Sequence, residues 1–199
     1  ELDLSGNAPL EFPSEGLDFP NLITIKLYDT GIISLDALSK LNSLTYLQAY
    51  NSQISDMRGI SELTNLKTIN LYGNKLTSLN IDKLTKLEKL DVAYNDLVNP
   101  SIPPLPNLQR LSLTGSQISS VDFVRGLPNL SELRLGDVGT TYLGSLADLP
   151  LLHTLAIENG ENINFEYWPS LPTLEELWLK NIQQDNIDFI KTMPRLTKL

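Results

Sequence analysis

Tyr28, Tyr50, Tyr72 and Tyr94 fall at intervals of 22 residues. A tyrosine joins a large apolar ring to a hydroxyl and loses little conformational freedom on contact, so a row of them suits gripping a macromolecule. The same row has a purely structural reading, because tyrosine favours strands and neighbouring rings stabilise one another across a sheet. Bond-breaking chemistry finds less support. The single histidine, His153, has no second histidine beside it and cysteine is absent, so no zinc constellation can be assembled. Serine and aspartate are plentiful, but no glycine-rich phosphate cradle or nucleophile elbow singles any of them out. The chain reads as a non-enzyme with no catalytic residue, no cofactor and no metal site.

The elements that must position the tyrosines are legible from a second pattern with the same period. Leu22-x-x-Ile25-x-Leu27 returns as Leu66-x-x-Ile69-x-Leu71, Leu87-x-x-Leu90-x-Val92, Leu108-x-x-Leu111-x-Leu113 and Leu130-x-x-Leu133-x-Leu135. With the first leucine as position one, repeats start at Leu22, Leu44, Leu66, Leu87, Leu108, Leu130, Leu152, Leu174 and Leu196. Those beginning at Leu66 and Leu87 are 21 residues long and the others 22. Positions four and six are apolar between polar neighbours, the alternation of a strand that buries one face. The return half is apolar every third residue, as in Ile54, Met57, Ile60 and Leu63, or Ile118, Val121, Val124 and Leu127, a step suited to 3₁₀ turns. Leu-Pro before a new start, as at Leu105-Pro106 and Leu127-Pro128, closes the turn and pre-extends the chain.

Strands repeating with crossovers make a mostly β member of the α/β class: a leucine-rich solenoid, curved as a right-handed superhelix. Its concave side is a parallel sheet and its convex side a layer of short 3₁₀ turns. Residues 1–199 form a single domain of eight complete repeats between a partial one at each end. Both ends fall inside a repeat, so the expectation is a segment of a longer protein, with signal peptide, caps and anchor outside it. Position nine holds Asn7, Asn74 and Asn95, with Thr30, Ser52 and Ser116 as smaller substitutes. A side chain there can satisfy backbone groups buried at the strand-to-turn corner. Val138, Gly160 and Ile182 break the series, so an altered corner or a shifted strand register is expected in the last three repeats.

Composition narrows the partners. Twenty-four acidic against 15 basic residues give a net charge of −9, the opposite of the basic stripe that nucleic acid requires. No run approaches the roughly 20 apolar residues of a membrane span. The lack of cysteine fits the cytosol or a bacterial surface protein.

The stretch Leu63-Thr64-Asn65-Leu66-Lys67-Thr68-Ile69-Asn70-Leu71-Tyr72-Gly73-Asn74-Lys75-Leu76, with Leu84-Thr85-Lys86-Leu87 opening the next repeat, closely resembles the repeats of bacterial internalin-type leucine-rich repeat proteins. The resemblance covers essentially the whole chain. It departs from the family in its broken asparagine series, its two short repeats, and the absence of a helical N-terminal cap and a C-terminal immunoglobulin-like segment. It implies a module of an extracellular or bacterial cell-surface protein that recognises a protein, such as a host surface protein, through concave aromatics. Cytosolic phosphatase-regulating proteins share the 22-residue unit, so a cytoplasmic scaffold or regulatory subunit is the alternative. A carbohydrate ligand ranks below a protein, and this segment inserts into no membrane.

The register puts position-seven residues Tyr28, Tyr50 and Tyr72 together on the concave side, with Tyr94 moved to position eight by the short repeat before it. Tyr46, Lys26, Gln48 and Asn70 flank them, with Asp91 next in line at the position of Gln48 and Asn70. A second cluster, Arg110, Glu132, Arg134, Glu158, Glu176, Trp178 and Lys180, is read mainly as cross-strand charge pairs. Trp178 is included in the binding set, although its position near the broken series favours a place in the core. Trp168 is read as packing.

Overall fold

The computed structural model describes residues 1–140, 142–183 and 186–199. Nine strands lie in chain order in one parallel sheet: β1 (Leu2–Asp3), β2 (Thr24–Lys26), β3 (Tyr46–Gln48), β4 (Thr68–Asn70), β5 (Lys89–Asp91), β6 (Arg110–Leu113), β7 (Glu132–Leu135), β8 (Thr154–Glu158) and β9 (Glu176–Lys180). Position four sets the register. Ile25, Leu47, Ile69, Leu90, Leu111, Leu133, Leu155 and Leu177 pair rung by rung, each at most 1% exposed. Burying one such side chain contributes about 1.5–3 kcal/mol, and a slip by one residue would turn all of them to solvent.

The convex layer follows the three-residue step. Short 3₁₀ turns span Asp36–Leu38, Arg58–Ile60, Asp122–Gly126, Gly144–Asp148, Phe165–Tyr167 and Asp188–Thr192. The two 21-residue repeats, 66–86 and 87–107, contain none of them. One residue fewer leaves too little chain to close a turn while Leu76, Leu79, Ile81 and Leu84 still reach the core. Trp168, as read from sequence, packs at this layer, its ring 5.1 Å from Phe165 and 4.8 Å from Phe189.

Asparagine ladders hold the corners. Asn74 donates to the carbonyls of Ala49 (2.8 Å) and Leu71 (2.9 Å) and accepts from the Ile54 amide (3.0 Å), which ties two adjacent repeats together. Asn95 repeats the arrangement on Leu71, Val92 and the Leu76 amide. A second ladder follows the residue before each start, where Asn65, Asn107 and Asn129 donate to the Asn42, Thr85 and Pro106 carbonyls of the preceding repeat.

Of the two outcomes expected in the last repeats, the altered corner occurs and the register shift does not. Leu135 pairs with Ile157 and Ile157 with Leu179, so the sheet runs unbroken past Val138, Gly160 and Ile182. The polar ladder moves one residue instead. Asn159 donates to Asp137 (2.7 Å) and Asn181 to Asn159 (2.9 Å), both at position eight. That position takes a left-handed backbone in every repeat, with φ between 46° and 77° at Gly6, Asp29, Asn51, Gly73, Tyr94, Gly115, Asp137, Asn159 and Asn181. Glycine, asparagine and aspartate tolerate this conformation readily, and the sequence already supplies one of them everywhere except at Tyr94.

Candidate binding face

Positions three, five and seven face away from the core; Tyr46, Tyr28, Tyr50 and Tyr72 stand there, with Tyr94 beside them at position eight, although not as one continuous row. Tyr28 and Tyr50 stack with ring centroids 4.5 Å apart and planes 2° from parallel. Tyr72 turns towards Tyr94 in an edge-to-face pair at 5.1 Å. Tyr72 and Tyr94 are exposed, whereas Tyr28, Tyr46 and Tyr50 are half-buried. Burial, and after it the charges of Asp29 and Asp3 nearby, push the Tyr50 phenol above its ordinary pKa.

The flanking residues divide by partner. Tyr46 and Gln48 bond to each other, the Gln48 amide donating to the phenol oxygen at 2.7 Å. Lys26 is held by Glu1 at 2.5 Å, with Asp3 at 3.8 Å, so its charge is already countered on its own sheet. Asn70 turns back to accept the Tyr72 amide at 3.0 Å.

Between the two ends the sheet forms an open groove of about 490 Å³ with Tyr46, Tyr72, Asp91, Tyr94, Arg110 and Arg134 among its lining. Burial raises the Asp91 carboxyl above its usual range, opposed by the Ala93 amide, the Ser112 hydroxyl and the positive charge of Arg134. Glu132 sits between the two arginines, 3.3 Å from Arg110 and 2.8 Å from Arg134. Further along, Lys180 pairs with Glu158 and Lys198 with Glu176. Arg110–Glu132 and Lys180–Glu158 are cross-strand pairs of the kind expected from sequence, whereas Arg134 and Glu132 lie on the same strand; such surface pairs are worth little individually.

Trp178 is not in the core. It is 50% exposed at position five of β9, opposite Ala156 on β8. Because the register does not shift, position five stays on the outward face and the indole goes with it. From β2 to β9 are seven inter-strand steps of about 4.8 Å, so Tyr28 and Trp178 mark the ends of an aromatic-studded face roughly 34 Å across. His153 is half-buried in a separate hollow with Glu88, Asn107, Gln109 and Ser131. Among the described residues no group of three His, Cys, Asp or Glu could hold a metal ion.

A family model described as a leucine-rich repeat region matches residues 17–199. The chain belongs to the leucine-rich repeat family. Among solved structures, this leucine-rich repeat protein is similar to an internalin, InlF, from Listeria monocytogenes, with 21% identity and a TM-score of 0.76. The match covers 90% of this chain and 54% of that one, so this chain spans about half of the internalin's length. It is also similar to the plant peptide hormone receptor RGFR1 in complex with RGF2, with 22% identity, 90% and 35% coverage and a TM-score of 0.67. A third neighbour is TLR13 in complex with ssRNA13, with 24% identity, 88% and 28% coverage and a TM-score of 0.69. At these identities the likeness is one of fold. Among the described residues, no helix is long and apolar enough to cross a membrane.

Proposed function

We propose that this leucine-rich repeat protein is a non-enzymatic recognition module of a bacterial cell-surface or secreted internalin-like protein. Its concave face binds a protein partner, in adhesion or recognition of a host surface protein. The observation that carries the reading is the solvent-facing aromatic set, Tyr28 and Tyr50, Tyr72 and Tyr94, then Trp178, spaced along one sheet with charged pairs between. Exposed aromatics on a rigid scaffold are the usual anchors of protein interfaces, and a face of this length suits a macromolecule better than a small ligand. The internalin neighbour supports the cell-surface setting, and the peptide hormone receptor in complex with RGF2 supports a polypeptide ligand. The RNA-bound neighbour offers a rival, which the net charge of −9 opposes.

The test is a binding screen of the immobilised chain against a panel of host cell-surface ectodomains. It is repeated with a variant carrying Tyr28→Ala, Tyr50→Ala and Tyr72→Ala. A specific ectodomain whose affinity falls at least tenfold, about 1.4 kcal/mol, in the triple variant supports the reading, provided circular dichroism shows the sheet intact. An ectodomain bound equally well by both proteins removes the tyrosine face from the interface.

A further inference from the structure

The centre of the concave groove combines two features that the fold does not require. The first is the charge on Asp91. Its side chain accepts the Ala93 amide at 3.1 Å, a local turn that closes the end of β5. One strand away, Asn70 makes the same turn with a neutral side chain, accepting the Tyr72 amide at 3.0 Å. The turn therefore needs an oxygen and not a negative charge. Burial disfavours the charge at this position, so the fold is the poorer for it. Nor is the charge matched by a close cation, because among the described residues no ion pair involves Asp91. The groups facing it are Lys89 on its own strand, Asn70 on β4, Arg110 and Ser112 on β6, and Glu132 and Arg134 on β7. Both arginines are drawn to Glu132, and among the described residues the exposed Lys89 reaches no carboxylate within ion-pair distance.

The second feature is the backbone of Tyr94. It adopts φ 53° where every other repeat places glycine, asparagine or aspartate, a conformation that a bulky side chain takes only at an energetic cost. Gly115 leaves room beside it, since a methyl group built there would lie 3.2 Å from the Tyr94 ring, closer than ordinary contact. The result is an exposed ring set edge-on to Tyr72 at the groove that also holds Asp91.

We infer that this groove receives a basic side chain, arginine or lysine, projecting from the protein partner, with Asp91 as its counter-ion and the Tyr72 and Tyr94 rings as its aromatic wall. A carboxylate at the floor and π-faces at the side are the chemistry that recognises a guanidinium or ammonium group. The inference rests on the concave face being the protein-binding side and names what the partner must present there.

The probes are N-acetyl-arginine N-methylamide and its neutral isostere, N-acetyl-citrulline N-methylamide, titrated into the isotopically labelled 199-residue chain while the Ala93 and Ser112 amide resonances are followed. The arginine probe is expected to give saturable shifts with at least tenfold higher affinity than citrulline. Asp91→Asn, which keeps the turn, should abolish that preference. Tyr94→Asn should weaken the arginine probe at least threefold while raising Tm by about 2–4 °C, because asparagine accepts the left-handed backbone. Tyr94→Phe should retain binding. Lys89→Ala, which removes a like charge, should tighten it.

Equal binding of the two probes, no saturable shift at either amide, or an unchanged preference in Asp91→Asn would overturn the inference. So would tighter binding of N-acetyl-aspartate N-methylamide at the same amides, which would assign the groove to the arginines. Failure here leaves the wider reading intact if ectodomain capture still depends on Tyr28, Tyr50 and Tyr72. Loss of that dependence removes the tyrosine face from the interface by itself.

Discussion

Replacing Asn95 with alanine is expected to lower the unfolding free energy by about 2–5 kcal/mol, read from urea denaturation followed by circular dichroism. Asn95 is 6% exposed and joins two repeats from the inside. Its carbonyl oxygen accepts the Leu76 amide at 2.9 Å, and its amide donates to the Val92 carbonyl at 2.9 Å and to Leu71. Leu71 keeps a bond from Asn74, but the Leu76 N–H and the Val92 carbonyl lose their partner in the interior. Each buried polar group left unpaired costs about 1–3 kcal/mol, and the methyl group of alanine can satisfy neither. The comparison that isolates burial is Asn7→Ala. Asn7 occupies the same position in the first repeat, donates to Leu4 in the same way, but lies exposed. Water replaces its bond, so the loss there is expected to stay below about 1 kcal/mol. Equal losses at the two sites would show that the ladder does not act through buried backbone groups.

Gly59→Ala carries the second large effect, a loss of about 3 kcal/mol or more. A Cβ on Gly59 would lie 1.9 Å from the Leu35 carbonyl oxygen and 2.2 Å from its carbon. Both are backbone atoms, so no side chain can rotate aside. The turns Asp36–Leu38 and Arg58–Ile60 would have to separate, opening a gap between Leu38 and Ile60 where the core is now fully buried. Gly139→Ala is the matched control. The nearest atom to its new methyl group is the Ile118 oxygen at 3.8 Å, ordinary contact, and the change should fall within about 0.5 kcal/mol. A thermal melt of the two variants beside the parent separates the cases. A Gly59→Ala protein as stable as Gly139→Ala would mean that the convex turns are not packed as closely as described.

Much of this was legible in the residues because the repeat states its own geometry many times over. The inward leucines, the parallel sheet, the 3₁₀ step and the outward positions of the tyrosines all follow from a period and a two-residue alternation. The residues left alternatives open where the repeat pattern broke. Val138, Gly160 and Ile182 allow an altered corner or a slip; the corner changes, and the stacked rungs of Leu133, Leu155 and Leu177 keep the register. Trp178, in the binding set but with a core place favoured, stays outward because that register holds. The left-handed position eight was available in the sequence as a column of glycine, asparagine and aspartate, and Tyr94 could have been recognised as its exception.

What no column could show was pairing across strands. The meeting of Tyr28 with Tyr50 and of Tyr72 with Tyr94, and the drawing of both arginines to Glu132, depend on rotamers that spacing does not specify. The burial of Asp91 also depends on neighbours from several repeats at once.

The short repeat 66–86 absorbs its missing residue in the outer limb alone. The leucine rungs stay stacked, with Ile69 beside Leu90 and Asn70 beside Asp91, so Tyr94 keeps the place its own strand gives it, eighth from Leu87 and one step beyond the column of Tyr72 and Ala93. Because loops tolerate changes in length at small energetic expense, the outer wall of such a solenoid can vary while the inner face keeps its arrangement.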